Sequence, residues 1–194
     1  MAIVFSHTIT FVFQMQTTFH IEGRANNVRY IRRNLPSPLF DLPRSFDEQT
    51  PFLSSVAAQS MDAAKVFADH GAYVEARDVD GNSAWHLYVS GDLFNTPDDV
   101  WGMKLLKDLK IDVNMRNRDR SSPLHVAAFF GKPAMVYGLI DAGAIVDLRD
   151  RNNWTPLHTA IKNSGTQQGC HDAAMELLIR GANPNKVTDR GKYI

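Results

Sequence analysis

Residues 122–128 read Ser-Pro-Leu-His-Val-Ala-Ala, and residues 155–161 read Thr-Pro-Leu-His-Thr-Ala-Ile. The same pattern thus returns after 33 residues. Self-similarity with a period of roughly 20–50 residues indicates a repeat protein, in which each repeat is one supersecondary unit that stacks on its neighbours. The period therefore decides the architecture before any single residue is considered.

The pattern predicts the beginning of a helix. Ser122 and Thr155 can each accept a hydrogen bond from a free backbone N–H of the first helical turn. Pro123 and Pro156 then occupy the first helical position, where the missing N–H of proline costs nothing. A leucine and small residues follow, and they allow one helix to pack closely on another. We therefore expect a helix to start at each proline.

Other stretches keep the same phase. Repeat starts are predicted at residues 17, 50, 83, 122 and 155, and a Gly-Ala pair that would close a second helix recurs at Gly71, Gly143 and Gly181. Glycine just past a helix end adopts the left-handed conformation at little cost. The predicted repeats are residues 17–49 (degenerate), 50–82, 83–121, 122–154 and 155–187, followed by the start of another repeat that stops at Ile194.

The period and the Thr-Pro-Leu-His pattern resemble the ankyrin repeat. The resemblance implies a mainly α fold over residues 17–194, a solenoid of helix-turn-helix units joined by β-hairpin fingers. It also implies that the recurring histidine hydrogen-bonds neighbouring turns and repeats. The residues of this structural motif would be Ser122, Pro123, His125, Thr155, Pro156, His158 and His86.

Residues 1–16 lie outside the repeat pattern. Apolar side chains recur at odd positions from Ile3 to Met15, with mostly polar residues between them. This alternation predicts a β-strand, and an apolar strand needs a partner or a cover. The extension would either lie against the first repeat as a cap or be the last strand of a domain that the chain no longer carries.

The repeat at residues 83–121 departs from the others. It is about six residues longer, and residues 91–99 are rich in Gly, Asn, Pro and Asp, which predicts a loop between its two helices. Trp85 stands where the pattern has leucine, so its position in the core should be enlarged. The second helix is predicted at residues 100–109, with Trp101, Leu105 and Leu106 on its apolar side.

Composition limits the possible classes of function. The 194 residues carry 21 basic and 21 acidic side chains, so attraction of the whole protein to nucleic acid or to a membrane surface is not expected. A single cysteine, Cys170, excludes an internal disulfide and is typical of a reducing compartment. No apolar run reaches the ~20 residues of a membrane span. We therefore expect a cytoplasmic monomer.

Catalytic motifs are absent from the sequence. It has no Gly-rich phosphate loop, no Gly-x-Ser-x-Gly and no His-Glu-x-x-His. Cys170 and His171 are adjacent, but a metal site needs further ligands nearby, and the two groups of a catalytic pair must face each other. The expectation is a protein without enzyme activity, cofactor or metal.

Surface residues remain as the candidate functional site. The resemblance implies that partners are held by the finger tips and by the inner face of the first helices. Carried onto this sequence, the binding residues would be Arg77, Asp80, Arg116, Arg118, Arg120, Phe129, Phe130, Arg149, Arg151 and Trp154. Arginine and tryptophan are common in binding hot spots, and a row of guanidinium groups suits an acidic protein surface. Alternatively, these arginines pair with the neighbouring aspartates and only solvate the edge.

Two functions follow as hypotheses. The first is a non-enzymatic module that binds an acidic partner protein. The second is the ankyrin-like part of a larger enzyme, such as a bacterial effector that acts on host proteins in the cytoplasm of a host cell. Nucleic-acid binding is disfavoured, because aspartates such as Asp80 and Asp119 alternate with the arginines and the net charge is zero.

Overall fold

The computed structural model describes residues 18–19, 21–34, 48–91, 100–165 and 169–188. The chain forms two compact units, residues 1–80 and 81–194. The strand predicted at residues 1–16, most of the loop predicted at 91–99 and the repeat start after Thr188 lie outside the described residues.

Helices account for all of the regular secondary structure in the described residues. Unit 1 contains α1 (Val28–Asn34), α2 (Pro51–Ala57) and α3 (Met61–Asp69). Unit 2 contains α4 (Ala84–Ser90), α5 (Val100–Asp108), α6 (Pro123–Phe129), α7 (Pro133–Asp141), α8 (Pro156–Asn163) and α9 (Cys170–Ile179). None of these helices is long and apolar enough to cross a membrane.

Unit 1 is built on one clear helix pair. The Oγ1 atom of Thr50 accepts the backbone N–H of Leu53 at 3.2 Å, and Pro51 occupies the first turn, as expected for a capped helix start. α2 and α3 pack against each other, and α1 packs on α3. The ring of Phe67 on α3 meets that of Phe19 edge to face, with centroids 6.2 Å apart.

Unit 2 stacks three helix pairs in sequence order. α4 packs on α6 and α6 on α8, so the first helices of consecutive repeats lie side by side. Leu124 of α6, Leu139 of α7, Leu157 of α8 and Leu177 of α9 are fully buried between them. The mainly helical repeat architecture predicted from the sequence is confirmed. The repeats are joined by tight turns, each closed by a backbone hydrogen bond such as that from Asp150 to the carbonyl of Trp154 at 2.9 Å.

Trp85 and Trp101 differ in their surroundings. Trp85 is buried as predicted, and its Nε1 donates to the carbonyl of Ile111 at 2.9 Å. Leu105 and Leu106 are buried on the apolar side of α5 as predicted, but Trp101 is 45% exposed, so its predicted place there is wrong. Gly102 lies against Tyr88 instead: an added Cβ would fall 2.5 Å from that ring. The helix therefore approaches the core through its glycine and turns the indole outward.

Candidate protein-binding surface

Each finger tip is shaped by one side chain that accepts backbone N–H groups. In unit 1, Asp78 Oδ1 accepts the N–H of Asp80 at 3.0 Å. In unit 2, Asn117 Oδ1 accepts from residues 119 and 121 at 3.0 Å each. Asp150 Oδ1 accepts from residues 152 and 154 at 2.8 and 2.9 Å. These bonds pair backbone N–H groups of the turn within the finger itself. The other side chains at the tip therefore face outward.

One position of each finger turn is left-handed. The φ angle is +77° at Gly81, +57° at Arg120 and +58° at Asn153. Glycine adopts this conformation freely and asparagine readily, whereas other L-residues pay a steric cost of about 1–2 kcal/mol. Arg120 therefore occupies a mildly strained site, at the position where the preceding finger has Gly81.

The three motif histidines repeat one arrangement. In each, Nδ1 accepts the backbone N–H of the helix-capping residue at 3.2 Å: Ser83 for His86, Ser122 for His125 and Thr155 for His158. The capping hydroxyl lies within 2.9 Å of the same nitrogen. Nε2 must then carry the proton, since Nδ1 already receives hydrogen bonds.

The Nε2 atoms of two of these histidines reach the next repeat. His86 bonds the carbonyl of Ser121 at 2.9 Å, and His125 bonds the carbonyl of Trp154 at 3.0 Å. Each ring thus joins the start of its own helix to the end of the following finger. The helices that line the inner face are held in register by these bonds.

Acid should destabilise unit 2 through these rings. Burial lowers the pKa of His125 and of His158 below their ordinary value of 6.5, since a charged ring is poorly solvated there. The unfolded chain then binds more protons than the folded chain at mildly acidic pH. The contribution of the two neutral rings to the free energy of unfolding is complete above about pH 6.5. It is lost as the pH falls through their lowered folded-state pKa values. We expect the urea midpoint to drop between about pH 7.5 and pH 5. A constant midpoint would contradict this assignment.

Two of the predicted binding arginines are engaged within the chain. The guanidinium of Arg116 donates to the carbonyls of Arg120, at 3.0 Å, and of Arg149. Arg149 in turn donates to the carbonyl of Val187 at 3.0 Å. Both side chains link one finger to the next and are only partly exposed. Arg116 and Arg149 therefore do not belong to the binding surface that we propose.

Three other arginines stand at the finger tips of unit 2. Arg118 and Arg120 are exposed, and the described residues provide no ion pair for either. Arg151 pairs with Asp119 at 2.8 Å, and both side chains are more than half exposed. A pair of this kind contributes little and can exchange partners. The tips therefore present three guanidinium groups against one carboxylate.

An open groove of about 1020 Å³ lies beside these tips in unit 2. It is lined by four predicted residues, Phe129, Phe130, Arg151 and Trp154, together with residues of α6 and α8. Arg77 and Asp80 belong to unit 1, and the groove is formed without them.

Ile161 and Lys162 are among the groove residues that sequence reasoning missed. Lys162 stands 33 residues after Phe129, and Ile161 stands 33 after Ala128. The repeat period that selected Phe129 on α6 selects Lys162 at the same place on α8. The repeat period therefore indicated this position, but it was missed because lysine replaces phenylalanine there.

The adjacent Cys170 and His171 do not face a common site. Cys170 is buried, its Sγ lies 3.5 Å from the carbonyl of Phe129, and burial raises the pKa of its thiol. His171 is exposed on α9. Across the described residues, no group of three or more His, Cys, Asp or Glu side chains could hold a metal ion.

The helix pairs, capping histidines and finger turns define a class of repeat protein. Residues 98–188 match the family model for ankyrin repeats, in three copies. Residues 98–188 therefore carry ankyrin repeats, and repeats of this class generally mediate protein–protein interaction.

Several curated proteins are similar to this chain. Protein PhlB of Serratia liquefaciens is 33% identical over 147 residues, which cover 74% of this chain and 60% of PhlB. NF-kappa-B inhibitor alpha of Sus scrofa is 31% identical over 94 residues, 47% of this chain and 27% of the inhibitor. Phosphocholine transferase AnkX of Legionella pneumophila is 28% identical over 145 residues, 74% of this chain and 15% of the transferase. The match spans at most 60% of any of these three proteins.

Proposed function

We propose that this chain is a non-enzymatic, monomeric module that binds a partner protein with an acidic surface in the cytoplasm. The observation that carries the proposal is the groove of unit 2, where aromatic side chains lie open to solvent beside the cationic finger tips. Phe129 is 42% exposed and Phe130 is 39% exposed. Exposed aromatic side chains beside arginines are the composition of a binding hot spot.

Charge reversal at the tips tests this function. The double variant Arg118→Glu, Arg120→Glu should reduce partner capture from an extract of the source organism by at least about tenfold, because rim charges steer and orient a partner of opposite sign. Both side chains are exposed, so thermal melting should remain nearly unchanged.

A matched control is available on α5. Lys104→Glu with Lys107→Glu makes the same change of charge on exposed helix residues that lie outside the fingers and, like Arg118 and Arg120, outside the groove lining. The control should retain capture. Equal loss of capture in both double variants would mean that binding depends only on net charge. Undiminished capture by the finger variant would show that the finger tips are not the binding surface.

The second candidate is the ankyrin part of a larger enzyme, such as a bacterial effector that acts on host proteins. Its support is the similarity to AnkX, which is named as a phosphocholine transferase and matches over 15% of its own length. Under this proposal the repeats recognise the target and another part of the protein carries the chemistry. An in-frame catalytic domain in the gene beside this coding region would support it, and its absence from the complete transcript would refute it.

A further inference from the structure

The floor of the groove is apolar and built by consecutive repeats. The rings of Phe129 and Phe130 meet edge to face, with centroids 5.1 Å apart, at the end of α6. Ile161 of α8 is 38% exposed, and the partly exposed indole of Trp154 lies in the same lining. These side chains form one apolar strip along the inner face. A strip of this kind is typical of a surface that is covered by a binding partner.

Cations flank the strip. Lys162 Nζ lies 4.4 Å from the centroid of the Trp154 ring, a cation–π contact that places its charge over the apolar floor. Arg151 lines the groove from the neighbouring finger. The two positive groups thus belong to the same opening as the indole.

Negative charge does not balance these cations within the groove. Asp150 is the carboxylate of the lining, and it is only 9% exposed. Its Oδ1 is already held by two backbone N–H groups of its own finger. Asp119 pairs with Arg151 at the tip, but this pair is solvent-exposed and readily exchanged. An incoming carboxylate therefore meets an excess of positive charge.

We infer that the groove of unit 2 binds a short linear segment of an acidic protein, in which one large apolar side chain is flanked by aspartate or glutamate. This inference rests on the proposed function and names the kind of partner. The apolar anchor packs on Trp154 and Phe129, where its burial drives binding. The flanking carboxylates meet Lys162 and Arg151. The anchor gives affinity, and the charges set register and on-rate.

Selection from a phage-displayed library of random linear peptides tests the inference, with the purified full chain as bait. Selected peptides should carry one aromatic or aliphatic residue beside several acidic ones. When resynthesised, they should bind about tenfold more weakly to Trp154→Ala and to Lys162→Glu than to the wild type. Replacing the anchor by serine, or the acidic residues by lysine, should weaken binding by a similar factor. Affinity should also fall as salt is added.

Two features keep the result interpretable. Lys162→Glu changes an exposed helix residue, so it tests the groove even if Trp154→Ala perturbs folding. Lys104→Glu on α5, outside the lining, should leave peptide affinity unchanged. The helical circular dichroism of every variant is measured beside its affinity.

Other outcomes overturn the inference. They are a library that yields no binder, selected peptides without acidic residues, and affinities that the groove substitutions do not change. Self-association of the chain that Trp154→Ala abolishes would assign the groove to a second copy instead. Partner capture that Arg118→Glu, Arg120→Glu abolishes but Trp154→Ala does not would leave the proposed function standing and remove the inference alone.

Discussion

Replacing His125 with alanine should lower the free energy of unfolding of the second unit by about 3 kcal/mol. The imidazole accepts the N–H of Ser122 at one nitrogen and donates to the carbonyl of Trp154 at the other. Alanine leaves the buried N–H of Ser122 without this acceptor, which costs about 1–3 kcal/mol. It also removes one of the two hydrogen bonds to the carbonyl of Trp154, which keeps the bond from the N–H of Asp150, at a further cost of about 1 kcal/mol. The loss also disconnects the start of α6 from the following finger. Urea denaturation followed by circular dichroism measures it directly.

His171→Ala is the matched control for this substitution. That side chain is exposed on α9, and its removal should change stability by less than about 0.5 kcal/mol. Equal effects of the two alanine substitutions would show that the hydrogen bonds of His125 contribute no more than a surface histidine does.

Gly169→Ala should destabilise the same unit by about 3 kcal/mol or more, for a different reason. Gly169 precedes α9 with a φ angle of +93°, where an L-residue is strained. A Cβ built there would lie 2.3 Å from the carbonyl oxygen of Gly131, which is backbone and cannot rotate away. The start of α9 would have to move off the preceding repeat. Thermal melting of the purified variant should show a markedly lower Tm.

Gly165→Ala provides the comparison for this glycine. It lies shortly before Gly169 in the chain, but nothing is within 4 Å of its added Cβ and its φ angle is not left-handed. We expect its Tm to stay near that of the wild type or rise slightly, because alanine restricts the unfolded chain. A Gly169 variant as stable as the Gly165 variant would mean that α9 adjusts without cost.

The helical repeats could be predicted from the sequence because each repeat begins with residues that favour the start of a helix. Ser122 can cap a helix and Pro123 favours its first turn, and Thr155 and Pro156 repeat this pair in the next repeat. The orientation of Trp101 escaped prediction, because an apolar residue in a short helix indicates an inward face only on average. What turned it outward is the contact between Gly102 and Tyr88, a fit between two helices that no local pattern contains.

In the candidate site too, the repeat register could be predicted from the sequence, whereas contacts between repeats could not. The repeat register brought Phe129, Trp154 and Arg151 to one groove, as their residue types suggested. It could not distinguish the exposed Arg118 from Arg116, although both are finger arginines. That difference depends on whether a carbonyl of the next repeat is within reach, as the carbonyl of Arg149 is for Arg116.

The side-chain bonds between consecutive repeats have a consequence for how this unit loses structure. His125 reaches only the following finger, Arg116 donates to the carbonyl of Arg149, and Arg149 donates to that of Val187. Coupling of this kind is nearest-neighbour, so opening one repeat weakens the next without breaking the whole array at once. Unfolding should advance from repeat to repeat, so amide hydrogen exchange should change gradually along consecutive helices rather than at one rate for the whole unit.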